Sequence, residues 1–240
     1  MLKYLLAAGL TLLFAGCAAA PAKRDPRDPL ERMNRSIYSF NMALDRAVTK
    51  PIATGYKRVT PAPIRRGISN FLDNLAYPRT IVNELLQGKV ADSGRDCVRL
   101  VVNTVFGLGF FDPAGRAGLE QHDEDFGQTL GKWGVPSGPY LMLPFLGPST
   151  VRDGLGEFPD EYTTGRHYLP TAPERYGVLA VDVIDTRAQL LDNDQLIAQS
   201  YDPYAFVRNA WLQRRAYLVN DGTTPDDDAD ADADQDADAP

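Results

Sequence analysis

Apolar residues recur at spacings of three and four along most of the chain, the signature of amphipathic helices. Leu30, Met33, Ile37, Phe40, Leu44 and Val48 form the first series. Asp28-Pro29-Leu30-Glu31 opens it with a capping residue, a proline suited to the first helical position and a glutamate at the capping-box site. The pattern predicts a helix over Pro29–Val48, closed before Pro51. Ile64, Ile68, Phe71, Leu72 and Leu75 predict a second over Pro63–Ala76. A third runs from Pro78 to Gln87 and stops at Gly88. Others follow over Ala91–Phe106, about Glu124–Trp133, Pro173–Leu191 and Asp202–Val219, with a short one starting at Gly147-Pro148-Ser149-Thr150. Tyr204, Val207, Trp211 and Leu218 share a face of the last long helix. No stretch alternates with period two, so the expected fold class is mainly α.

Two segments sit uneasily in a water-soluble bundle. Val105–Gly115 places Phe106, Leu108, Phe110 and Phe111 among Gly107, Gly109 and Gly115. Connections normally run over the surface and are polar, so an apolar one either folds onto a core or contacts lipid. The second segment, Trp133–Val151, has 19 residues without a charge. Pro136, Pro139, Pro144 and Pro148 exclude a membrane-crossing helix, because each removes a backbone donor that hydrocarbon cannot replace. Tyr140–Leu146 is expected to be an irregular or helical piece, buried in protein or lying at an interface.

The N-terminus has the layout of an export signal. Lys3 precedes an apolar run from Tyr4 to Ala15, shorter than the ~20 residues a spanning helix needs. Ala15-Gly16-Cys17 reads as a lipoprotein cleavage site, with Phe14 where leucine is usual. The expected layout is a signal peptide over 1–16, a tether over 17–27 lipidated at Cys17, a helical domain over 28–220 and a disordered acidic tail over 221–240. Ala18 after the cysteine points to the outer rather than the inner membrane.

The tail distorts the net charge of −7. It holds nine Asp and no base, so its removal leaves +2, and loss of Lys3 with the signal leaves +1. A near-neutral body gives no reason to expect a nucleic-acid partner. Cys97 has no disulfide partner once Cys17 is acylated and is expected to be a buried, inert thiol. The two histidines, His122 and His167, stand in no metal-binding pattern, and His122 is expected to pair with the exposed carboxylates of its own segment. No hydrolase elbow, phosphate-binding loop or dinucleotide fingerprint is present. The chemistry therefore points away from an enzyme, and neither a cofactor nor a metal is expected. Arg35 and Arg152 suit either phosphate head groups or ion pairs on helix surfaces.

Several stretches together resemble the MlaA (VacJ) family of outer-membrane lipoproteins. They are Asp28–Arg35 with Phe40-Asn41 and Leu44-Asp45, Asn70-Phe71, Asn74-Leu75 and Pro78, Val82-Asn83 and Leu86–Gly88. Phe126–Gly131, Trp133–Val135, Gly138–Tyr140, Leu143-Pro144, Gly147-Pro148, Arg152-Asp153, Thr186–Asp192 and Ser200–Tyr204 complete the series. The resemblance covers about Asp28–Val219 in order and leaves the acidic tail outside.

It implies a helical ring in the inner leaflet of the outer membrane with a central amphipathic pore. It also implies removal of phospholipid misplaced in the outer leaflet and its transfer to a soluble periplasmic carrier, MlaC, in members that also associate with trimeric porins. On that basis Val105, Phe106, Leu108, Phe110 and Phe111 are expected to form an apolar hairpin at the pore, hinged at Gly107, Gly109 and Gly115. Asn34 and Asn41 are expected to control its opening, and Arg35 and Arg152 to be candidates for head-group contact. The alternative is a lipoprotein that only scaffolds porins or the envelope.

Overall fold

The computed structural model describes residues 25–223. The lipidation call at Cys17, the signal segment 1–16 and residues 224–240 of the acidic tail lie outside the described residues. The order is α1 (Glu31–Leu44), a π-helical turn (Asp45–Thr49), α2 (Lys50–Val59), α3 (Ala62–Leu86), α4 (Val90–Val105), α5 (Pro113–Arg116) and α6 (Phe126–Lys132). A two-stranded antiparallel hairpin follows, β1 (Tyr140–Leu143) and β2 (Gly147–Thr150), with Tyr140 opposite Thr150 and Leu143 opposite Gly147. Then come α7 (Val151–Thr163), a 3₁₀ turn (Gly165–Tyr168), α8 (Ala172–Leu190), a second 3₁₀ turn (Leu191–Asn193), α9 (Asp194–Gln199) and α10 (Pro203–Val219).

The mainly helical expectation is met, and three local expectations are corrected. The first helix does not stop before Pro51. The preceding π turn places the Lys50 N–H on the Asp45 carbonyl, and the chain passes into α2 through the proline that lacks a donor. Pro78 likewise lies inside α3 rather than between two helices. Its missing hydrogen bond is outweighed by packing of α3 against α4, α6, α7 and α8. Residues 147–150 form a strand, and Thr150 then caps α7 by accepting from the Asp153 N–H.

The elements touch in a closed circuit. The hairpin packs on α1, α2 on α8, α8 on α3 and on the first 3₁₀ turn, that turn on α7, and α7 on β2. What is buried is mostly polar. Nine hydrophobic residues are buried among those described, against twenty polar or charged ones, while thirty-five large hydrophobic residues are exposed. The apolar cluster found among the described residues is small, Tyr140, Met142 and Tyr204, flanked by Ile37, Tyr38, Trp211 and Leu212. On α4 the inversion is plain: Ser93, Asp96, Arg99 and Asn103 face inward, whereas Val98, Val101 and Val105 face outward. Cys97 shares the outward side and is exposed, not buried as expected. Among the described residues no helix is long and apolar enough to cross a membrane.

Carboxylates hold the joints. Asp28, fully buried, accepts from Asn34 Nδ2 at 2.8 Å, Tyr204 Oη at 2.5 Å and Arg208 Nη1 at 2.9 Å. Asp185 accepts from Tyr56, Ser69 and Gln189, tying α2, α3 and α8. Asp160 accepts from Asn83 Nδ2 and the Phe126 N–H, tying α3, α6 and α7. Arg215 on α10 forks onto Asp125 and reaches Asp153 at 2.8 Å. There α6 and α7 cross so closely that a Cβ on Gly156 would lie 2.7 Å from the Gly127 nitrogen. Asp221, the first residue of the acidic stretch, is also fixed, by Lys89 and by Lys132 at 2.5 Å.

Replacing Asp28 with alanine strands a buried guanidinium and a buried phenol. The expected cost is about 3–5 kcal/mol, read as a large fall in the thermal midpoint of the detergent-solubilised protein. Lys57→Ala removes an exposed pair with Asp192, and is expected to cost less than about 1 kcal/mol. Equal effects of the two substitutions would contradict this account of the joints.

Candidate functional site

A cavity of about 980 Å³ is walled by the hairpin, α7, the first 3₁₀ turn and α8. That is the upper end of the range for ligand-binding cavities, roughly 300–1,000 Å³. Helical spacing builds two of its walls. Val151, Leu155, Phe158 and Tyr162 share one face of α7, and Ala172, Tyr176 and Leu179 share one face of α8. Leu141, Leu143 and Leu146 complete the apolar lining from the hairpin. Glu157, Glu161, Arg166, His167 and Arg175 supply a polar side. Arg166 pairs with Glu161, and the His167 ring lies 4.8 Å from that of Tyr162. Surrounding protein strips solvent from Glu157 and pushes its carboxyl above the usual carboxylate range. The cavity thus pairs a broad apolar wall with a charged lane.

The hairpin is clamped from outside by α1. Asn34 and Asn41 lie seven residues apart, two helical turns, and so share a face about 10.5 Å apart along the axis. From Tyr140 to Leu143 a strand advances about 10 Å. The two asparagines therefore reach both ends of β1. Asn34 donates to the Tyr140 carbonyl at 3.0 Å and accepts from the Met142 N–H at 2.9 Å. Asn41 donates to the Leu143 carbonyl at 2.9 Å and accepts from the Phe145 N–H at 3.0 Å. Each amide side chain thereby acts as a short piece of neighbouring strand. Phe145, at the tip, holds φ at +67°, an uncommon conformation for a bulky residue. Its ring meets Phe40 of α1 edge to face at 5.4 Å.

The expected hairpin over Val105–Gly115 is not found there. Those residues are the end of α4, a series of turns and the single-turn α5, and they do not line the cavity. The glycines serve turns. Gly109 has φ of +75°, a Cβ on Gly107 would sit 2.5 Å from the Asn103 carbonyl, and Gly115 donates to the Asp112 carboxylate that caps α5. Phe110 stacks on Phe71 at 4.9 Å, and its carbonyl accepts from Asn70, so the segment is docked on α3. Val105, Phe106, Leu108 and Phe111 remain exposed.

The two expected head-group arginines are committed within the protein. Arg35 bonds Glu31 and Asp202, and Asp202 holds its guanidinium well above the usual arginine range. Arg152 is buried against Asp153 and the Val135 carbonyl. Arg166 and Arg175 occupy the cavity instead, and no motif marked them out. The hairpin escaped notice because both faces of β1 are apolar. Tyr140 and Met142 point into the core while Leu141 and Leu143 line the cavity, so alternation of direction leaves no alternation of polarity. His122 also differs from expectation: its Nδ1 faces the buried Asp96 and Glu84, not the carboxylates of its own segment.

A family model described as MlaA lipoprotein matches residues 26–218. The intermembrane phospholipid transport system lipoprotein MlaA of Escherichia coli (strain K12) is 43% identical over 223 residues, covering 90% of this chain and 88% of that protein. The protein of the same name from Haemophilus influenzae is 35% identical, covering 83% and 85% respectively. A solved structure described under "Structural basis for maintenance of bacterial outer membrane lipid asymmetry" superposes with a TM-score of 0.73 at 40% identity, covering 82% of this chain and all of that one. With the matched fold and a family match over residues 26–218, this chain belongs to the MlaA lipoprotein family.

Proposed function

We propose that this protein moves phospholipid between membranes, withdrawing lipid misplaced in the outer leaflet of the outer membrane through its cavity and releasing it to a periplasmic carrier of the MlaC type. The observation that carries this reading is the cavity of about 980 Å³, in which one wall is apolar and another holds Glu157, Glu161, Arg166 and Arg175. A two-tailed amphiphile needs both surfaces at once. Arg175 is the cation placed to meet a phosphate on the polar side, and Arg166 joins it by exchanging its Glu161 partner for the phosphate, a role that guanidinium forks suit. No bond need be made or broken in such a passage.

The exposed exterior supports a body seated in one leaflet. Val98, Val101, Phe106, Leu108 and Phe111 offer apolar surface to acyl chains, while the backbone is satisfied within helices and the hairpin. In this reading the acyl group on Cys17 tethers the chain to the outer membrane facing the periplasm, and a trimeric porin is a partner for part of the apolar rim. The hairpin forms a wall of the lipid path. Asn34 and Asn41 set its position by holding the Tyr140 carbonyl, the Met142 and Phe145 amides and the Leu143 carbonyl.

A photocrosslinking residue at Leu155 is expected to capture phospholipid in cells. Leu155→Asp and Phe158→Asp are expected to raise outer-leaflet phospholipid to the level of a deletion strain. Absence of captured lipid, together with a normal outer leaflet in both variants, would refute the lipid path and favour a scaffold. Asn34→Ala is expected to speed amide exchange at Met142 by about tenfold or more, because a buried N–H loses its acceptor. Asn41→Ala is expected to act in the same direction at Phe145. Unchanged exchange in both variants would show that the amides do not restrain the hairpin.

A further inference from the structure

We propose that Glu84, Asp96 and His122 form a binding site for one divalent transition-metal cation, Zn²⁺ being the best match, at the joint between α3, α4 and the segment 117–125. The site lies away from the lipid cavity, and none of its residues lines that cavity.

Three elements bring the ligands together. Glu84 stands in the last turn of α3, Asp96 in the second turn of α4 and His122 in the connection leading to α6. One donor atom from each lies within 4.8 Å of the others. His122 Nδ1 is 3.1 Å from Asp96 Oδ2 and 3.3 Å from Glu84 Oε1. A tetrahedral Zn²⁺ with bonds of about 2.0–2.1 Å holds its ligand atoms roughly 3.3 Å apart. The imidazole-to-carboxylate spacings already match that edge.

Charge makes the same demand independently. Asp96 is fully buried and Glu84 is 1% exposed, yet Asp96 Oδ1 and Glu84 Oε2 have no hydrogen-bond partner among the described residues. The Tyr77 hydroxyl, on a residue 5% exposed, lies beside Asp96 as a neutral donor. Basic side chains on flanking positions are engaged elsewhere: Arg79 with Asp123, Lys89 with Glu124 and Asp221, Arg99 with Asp112. Two buried carboxyls crowd one imidazole, and burial together with the neighbouring Asp96 pushes the Glu84 carboxyl well above the usual carboxylate range. Buried anions without partners are costly, and every other buried carboxylate joint of this fold is well supplied with donors. A dication supplies what is missing. One nitrogen with two carboxylate oxygens suits Zn²⁺ better than Ca²⁺ or Mg²⁺, which favour all-oxygen shells. Bound there, the ion would staple the 117–125 connection onto α3 and α4.

The test uses the full-length, detergent-solubilised protein without a polyhistidine tag, titrated with ZnCl₂ and followed by equilibrium dialysis with elemental analysis. The expected result is one Zn²⁺ per chain, a rise in thermal midpoint that a chelator reverses, and at least a tenfold loss of affinity in H122A and in the double variant E84Q/D96N. The double variant is isosteric and removes buried charge, so it retains the fold if His122→Ala does not. Cys97→Ser is expected to bind as the parent does, which separates this site from the exposed thiol. Co²⁺ in place of Zn²⁺ is expected to give the visible absorption of a tetrahedral nitrogen–oxygen site in the parent only. Absence of stoichiometric metal, or equal binding by the parent and E84Q/D96N, would overturn the proposal and leave a carboxyl pair that shares a proton.

Discussion

The main joints of this fold depend on carboxylates, most of them buried, whose acceptors are met by side chains from neighbouring elements. Asp28 joins α1 to α10 and, through Asn34, to the hairpin. Asp185 joins α2, α3 and α8; Asp160 joins α3, α6 and α7; Asp125 and Asp153 hold α10 through Arg215. For a body seated in one leaflet, as proposed, the exterior explains the arrangement. Where the outside of a helix is as apolar as its surroundings, burial of hydrocarbon gives little force to bring helices together. Directional polar contacts then decide which helix meets which, and a single missing partner leaves a charge with nowhere to go.

The same logic fixes the mobile-looking part of the site. A two-stranded hairpin is marginal by itself. Here β1 lies against a helix that supplies two amides at matching intervals, while the Tyr140 N–H is taken by the Arg27 carbonyl. The strained Phe145 sits where the second amide holds on. Only the tip and one face are free to meet whatever fills the cavity. The wall of the cavity and the chain entry near Asp28 are therefore one mechanical unit, linked through Asn34.

Helix positions were largely legible in the sequence because the spacing of three and four survives whichever way a helix faces. Pro51 and Pro78 misled the boundaries: a π turn absorbs the first and helix packing the second, and neither leaves a local signal. Asn34 and Asn41 hold residues 140–145, whereas the glycines and phenylalanines of Val105–Gly115 have the look of a flexible apolar loop and draw the expectation there. The charge-free stretch at 133–151 contains the two-stranded hairpin, whose two apolar faces conceal the strand period. Of the two uses open to Arg35 and Arg152 in the sequence, the fold realises ion pairing, with Asp202 and Asp153.

Direction is the harder matter, and α4 shows what decides it. Cys97, Leu100, Val101, Thr104 and Val105 fall on one side by spacing, and in water that side would face a core. The opposite stripe is Ser93, Asp96, Arg99 and Asn103, and three of these find partners in distant segments: Ser93 on the Ile81 carbonyl, Arg99 and Asn103 on Asp112. A polar stripe facing solvent needs no such complement elsewhere in the chain. An acid at 112 matched to a base at 99 and an amide at 103 gives the buried Arg99 and Asn103 partners that solvent does not supply at their depth. The signal of inversion is therefore not the greasy face, which any helix has, but a hydrophilic face whose donors and acceptors are answered within the protein.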